Sequence, residues 1–135
     1  MTQFYYRITL VFVLLVTPSI GIRANVLDDG IQAYDRQDYL GAYKQLLPLA
    51  EQGNGEAQYY VGGMLVDGIG IPADTSRGVY WLEQAVSNQY YMAAQMLGSM
   101  YLSGLGVPMD PQKGAKYIML YEKQAPKDEV DSGCD

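Results

Sequence analysis

The chain has 135 residues, 49% of them apolar, which is enough for one small domain and leaves no room for two. It contains no histidine, so nucleophile–histidine–carboxylate arrangements and histidine metal sites are excluded, and acid–base work at neutral pH would fall to retuned carboxylates. Fifteen acids against nine bases give a net charge of −6, and the single cysteine, Cys134, can neither close a disulfide within one chain nor form a cysteine metal site.

The first segment, MTQFYYRITLVFVLLVTPSIGIRA, places Arg7 ahead of an apolar run from Ile8 to Val16 that Pro18 breaks. This is the layout of a secretory signal peptide, expected over residues 1–24, with cleavage after Gly21 or Ala24. The run is shorter than the ~20 residues a membrane-spanning helix needs, so no stable membrane insertion is expected after cleavage. Removing residues 1–24 takes away Arg7 and Arg23 but no acid, leaving seven bases and a net charge of −8. An acidic protein of this kind is poorly suited to nucleic acid or an anionic membrane, and compatible with a basic protein partner.

A helical domain is expected over residues 25–125, in units of about 29–53, 54–89 and 90–124. In the middle unit, VDGIGIPAD (66–74) has two glycines that would suit either a phosphate cradle or a turn. It returns 36 residues later as LSGLGVPMD (102–110): Gly68, Gly70, Pro72 and Asp74 fall on Gly104, Gly106, Pro108 and Asp110. Ala57, Gly62, Met64 and Gly78 fall likewise on Ala93, Gly98, Met100 and Gly114. A phosphate loop occurs once, and no lysine–serine or lysine–threonine pair follows either copy, so these are joints of a repeat. The first unit keeps only its second half in this register: Asp38 lies under Asp74 and Leu46 under Leu82, while AYDRQ (33–37) replaces the glycine loop.

Each unit reads as two helices. Apolar residues three and four apart give the first helices one buried face (Ala57, Tyr60, Val61, Met64; Ala93, Leu97, Met100, Tyr101). Gly68 and Gly104 are expected to end these helices in the left-handed conformation, Asp38, Asp74 and Asp110 to cap the second helices, and Pro111 to take a first helical position. Gly62, Gly78, Gly98 and Gly114, placed inside helices, indicate close crossings. Beyond Ala125, PKDEVDSGCD (126–135) reads as a disordered acidic tail.

The pattern AxxxxGxMxxxGxGxPxD, followed by GxxWLEQA in the middle unit and GxxYIMLYEKQA in the last, resembles Sel-one-like repeats, extended relatives of tetratricopeptide repeats. The resemblance covers roughly residues 29–124. It implies an all-α, right-handed α-α solenoid of about three helix pairs, whose concave face is lined by the first helices and binds other proteins.

Two surfaces are candidates for that binding. On the first helices, the positions the repeat leaves variable are Tyr60, Gly63 and Asp67 in the middle unit and Met96, Ser99 and Ser103 in the last. In the final helix, Met119, Leu120 and Tyr121 replace Glu83, Gln84 and Ala85 of the unit before, giving an apolar run that would suit a partner, a dimer contact or core packing. No catalytic, cofactor or metal residues are expected. The expectation is an exported, non-enzymatic interaction module or adaptor of the bacterial periplasm, binding a basic effector or an envelope component. Alternatives are a periplasmic immunity protein neutralising an antibacterial effector such as a phospholipase, and a cell-wall-ligand-binding enzyme.

Overall fold

The computed structural model describes residues 20–125, with side chains from Val26 onward. The expected signal peptide up to residue 19, the expected tail 126–135 and Cys134 lie outside the described residues. Within them the chain forms six helices: α1 (Ile20–Asp35), α2 (Tyr39–Glu51), α3 (Gly55–Asp67), α4 (Thr75–Ser87), α5 (Tyr91–Ser103) and α6 (Pro111–Gln124). Each helix packs on the next in sequence, α1 on α2 through α5 on α6. The result is a solenoid of three helix pairs with two core clusters. One is built around Leu46, Ala57, Val61 and Leu65, the other around Leu82, Ala93, Leu97 and Met100.

The helix boundaries follow from the expected signals. The carboxylates of Asp38, Asp74 and Asp110 accept from the N–H groups of Gly41, Arg77 and Lys113 at 3.0, 3.1 and 2.9 Å, and Asn54 caps α3 through the N–H of Ala57 at 2.8 Å. Gly68 and Gly104 end α3 and α5 at φ 68° and 69°. The connector then closes on the helix it left: the N–H of Asp74 donates to the Leu65 carbonyl at 2.8 Å, and that of Asp110 to the Tyr101 carbonyl at 2.9 Å. Gly70 and Gly106, at φ 76° and 72°, lie against Tyr39 and Thr75, the first residues of the preceding second helices. The two-glycine connector is thus a seat on the unit before.

The first unit differs. Its connector is only residues 36–38, and among the described residues no second helix precedes it for a longer connector to rest on. Gln37 makes the left-handed turn at φ 66°. Gly30 faces Leu46 as Gly62 faces Leu82, so the first helices of units one and two are offset by 32 residues rather than 36. The first unit is therefore a full helix pair, and its first helix starts at Ile20, ahead of residue 29 where the repeat register alone placed it.

Helix crossings are closest where glycines meet. A Cβ on Gly62 would stand 3.1 Å from the Gly78 carbonyl, and one on Gly78 2.8 Å from the Gly62 carbonyl. Gly98 and Gly114 repeat the arrangement in the last unit at 3.2 and 3.0 Å. Glycine in a helix interior costs roughly 1 kcal/mol against alanine, and here it lets α3 meet α4, and α5 meet α6, backbone to backbone.

Candidate protein-interaction surfaces

A groove of about 330 Å³ runs between the two first helices α3 and α5. Val66 of α3 and Met92, Met96 and Met100 of α5 provide apolar lining, Tyr59 stands at one end and Leu105 at the other. Asp67, Gln95, Ser99 and Ser103 add polar lining, and all four are exposed. Four of the six expected first-helix residues, Asp67, Met96, Ser99 and Ser103, therefore share one groove. Gly63 lies beside it: a Cβ there would have only the Met96 methyl within reach, at 3.9 Å, so the absent side chain leaves room above Met96.

The serines present oxygen rather than hydrogen. The Ser99 hydroxyl donates to the Gln95 carbonyl at 3.1 Å and the Ser103 hydroxyl to the Ser99 carbonyl at 2.8 Å, which commits their protons to their own helix. With the Asp67 carboxylate alongside, the rim consists mainly of acceptors and carries a single negative charge. It suits a ligand that brings donors, such as lysine, arginine or unpaired backbone N–H groups, over apolar side chains that fit the methionines. Methionine is flexible and polarisable, and adapts to such shapes.

Tyr60 is placed differently. It is half-buried on the side of α3 that faces α1, its ring edge-on to Tyr34 at 5.1 Å and to Tyr59 at 5.6 Å. Burial, and then the charge of Glu56, push its hydroxyl above the ordinary tyrosine value. These contacts belong to a continuous row of seven rings: Tyr39, Tyr34, Tyr60, Tyr59, Tyr90, Tyr91 and Tyr121, with neighbouring centroids 5.1 to 6.4 Å apart. Each contact lies in the range of favourable aromatic pairing. The row reaches from the first unit to the last helix and joins the repeats along one line. Tyr90 is held well above the usual tyrosine range by burial and by Glu56, whose carboxylate faces its hydroxyl at 3.5 Å.

The C-terminal helix divides its apolar run between two sides. Tyr117 stacks on Tyr101 at 6.0 Å and donates to Glu83 at 3.2 Å, Ile118 lies against Gly98, and Tyr121 meets Tyr91 at 5.9 Å. Met119 points outward and is 62% exposed, with half-buried Leu120 beside it. A recess of about 340 Å³ is lined here by Tyr117, Met119, Leu120 and three lysines, Lys113, Lys116 and Lys123. Lys113 is engaged: its ammonium donates to the Tyr101 hydroxyl at 2.7 Å, pairs with Glu83 at 3.4 Å and lies 4.2 Å from the Tyr101 ring centre. Those partners, Tyr101 first, raise its pKa. Of the three expected residues, Met119 is thus outward, Tyr121 packs on α5, and Leu120 stands between.

Sequence reasoning did not find Met92 and Gln95 in the groove, nor the lysines around Met119. The adjacent tyrosine pairs 59–60 and 90–91 were a visible signal; their continuation through Tyr34 and Tyr121 depends on tertiary packing. Among the described residues there is no cluster of three metal-ligating side chains, and no helix is long and apolar enough to cross a membrane.

Comparison with known proteins agrees with this geometry. Residues 55–90 and 92–118 match the Sel1 repeat model. The crystal structure of a Sel1 repeat protein from Oxalobacter formigenes shares the fold with a TM-score of 0.63, at 17% identity over 82% of this chain and 95% of that one. No curated protein matches. With its helix pairs and two-glycine connectors, the chain carries two Sel1 repeats over residues 55–118, a repeat that generally mediates protein–protein interaction.

Proposed function

We propose that this protein is an exported, non-enzymatic adaptor of the bacterial periplasm that holds a basic protein segment in the groove between α3 and α5. The observation that carries this reading is the groove's composition, with methionines set among acceptors and Asp67 the single charge. The leader-like segment supports export. Both candidate cleavage points, after Gly21 and Ala24, fall in the first turns of α1 and ahead of Val26, Leu27, Ile31 and Tyr34, which pack on the first core cluster. A chain beginning at residue 22 or 25 keeps those contacts.

Met96→Glu puts a second carboxylate onto the apolar part of the groove, and Asp67→Lys reverses the rim charge. Pull-downs from a periplasmic fraction with the wild-type protein and both variants, read by mass spectrometry, should recover a partner with the wild type alone. Equal recovery with all three would overturn the groove assignment, and recovery of the chain only in the cytoplasmic fraction would overturn export.

The net charge of −8 after leader removal favours a second reading, an immunity protein that covers the basic surface of an antibacterial effector such as a phospholipase. Its mark would be protection of growth when the effector is delivered to the periplasm, lost with Asp67→Lys.

A further inference from the structure

We infer that the outer face of α6 is a second docking surface, separate from the α3–α5 groove, and that it takes an amphipathic helix with acidic flanks from another protein. Every other second helix is covered by the first helix of the following unit, α2 by α3 and α4 by α5. Leu49 and Ala85 are buried beneath those covers, and the residue in the same register on α6 is Tyr121, which is only half-buried. Met119, turned to the other side of the helix from the contact of Tyr121 with Tyr91, is 62% exposed. Within the described residues no helix follows α6 to cover them.

The two ends of the described solenoid differ. With the 32-residue offset fixed by Gly30 and Gly62, Asp29 and Gln32 of α1 stand where α3 has Val61, packed in the core cluster of α2, and the buried Met64. Both are exposed, so among the described residues this side of α1 carries polar side chains. The C-terminal end instead shows Met119 and Leu120 bracketed three and four residues away by Lys116 and Lys123. Its charge is also reversed. Residues 26–110 hold ten acids and three bases, whereas 111–125 hold three lysines and one acid, Glu122. Among the described residues, Lys113 alone of the three lysines makes an ion pair.

These features select the occupant. The segment 126–135 is acidic, but its one large apolar side chain is Val130, too little to cover Met119 and Leu120 together. A second copy docked tail to tail would set lysines against lysines, and one docked head to tail would press Asp29 and Gln32 onto Met119 and Leu120. A separate helix with an apolar stripe and glutamates or aspartates on its flanks satisfies both the apolar centre and the basic rim.

The test uses the full chain after leader removal and a fluorescent synthetic helix with leucines every third and fourth position and glutamates on both flanks. Anisotropy should show saturable binding, weakened about tenfold or more by Lys116→Glu with Lys123→Glu and likewise by Met119→Asp, with the helical spectrum and melting temperature retained. Met96→Glu should leave this binding unchanged, which separates the outcome from that of the groove. The proposal is overturned if the peptide does not bind, or if a lysine-flanked version binds as well. A chain ending at Ala125 that binds at least tenfold tighter would make the tail the occupant and overturn it. So would sedimentation showing a dimer that Met119→Asp dissociates.

Discussion

Two adjacent glycines in α3 show how position decides the sign of a substitution. A Cβ on Gly62 would lie 2.9 Å from Leu82 Cγ and 3.1 Å from the Gly78 carbonyl, so alanine must push α4 away. Gly63→Ala meets only the Met96 methyl instead, at an ordinary contact distance of 3.9 Å. We expect Gly62→Ala to lower stability by about 1–2 kcal/mol despite its better helix propensity, and Gly63→Ala to raise it by about 0.5–1 kcal/mol, as read from urea midpoints. Midpoints that moved together would mean the crossing is looser than these distances. Much of the residue scale was legible beforehand, since the capping aspartates, the left-handed glycines and Pro111 are local devices whose partners lie within a few residues. The orientation of Ser99 and Ser103 was not, because a hydroxyl on a helix can turn to its own backbone or to a ligand with equal local cost.

At the scale of elements, the last helix is held by a cluster in which Lys113, Glu83, Tyr101 and Tyr117 bridge α4, α5 and α6. Burial, and then nearby negative groups, hold Tyr60, Tyr90 and Tyr117 above the ordinary tyrosine value of 10.0. A native tyrosine that keeps its proton while the unfolded one loses it makes stability fall as pH rises past the unfolded value. Lys113 acts in the same direction: its raised pKa gives stability that is complete below its ordinary 10.5 and lost as pH climbs through the folded value. The melting temperature should therefore change little from these groups up to pH 9 and drop above pH 10. Tyr90→Phe should make the drop shallower, and an equal slope in that variant would show that Tyr90 does not contribute. The 36-residue period revealed five of the six helices because their connectors have equal length. It misplaced α1, whose connector is four residues shorter and whose outward residues Asp29 and Gln32 break the apolar pattern used to recognise a first helix.

At the scale of the whole molecule, three stacked pairs form a nearly one-dimensional object, near the minimum at which neighbours bury a continuous core. Its ends were only partly readable. The apolar run of α6 was plain in sequence, whereas the polar side of α1 depended on an offset that only the facing of Gly30 and Leu46 reveals. The seven-ring row has a further, optical consequence. The single tryptophan, Trp81, packs beside Tyr80 at 5.3 Å and against the first core cluster, against which Tyr34 and Tyr60 also pack. Excitation absorbed by tyrosines passes to a nearby indole by dipole coupling that fades steeply with distance. Light taken up along the row should therefore leave the folded chain as indole emission and the unfolded chain as phenol emission. Loosening of the terminal unit alone, as by Gly98→Val, should release phenol emission from Tyr121, Tyr117 and Tyr101 while Trp81 keeps its own folded spectrum. The solenoid thus carries an intrinsic gauge of how many of its units are stacked at any moment.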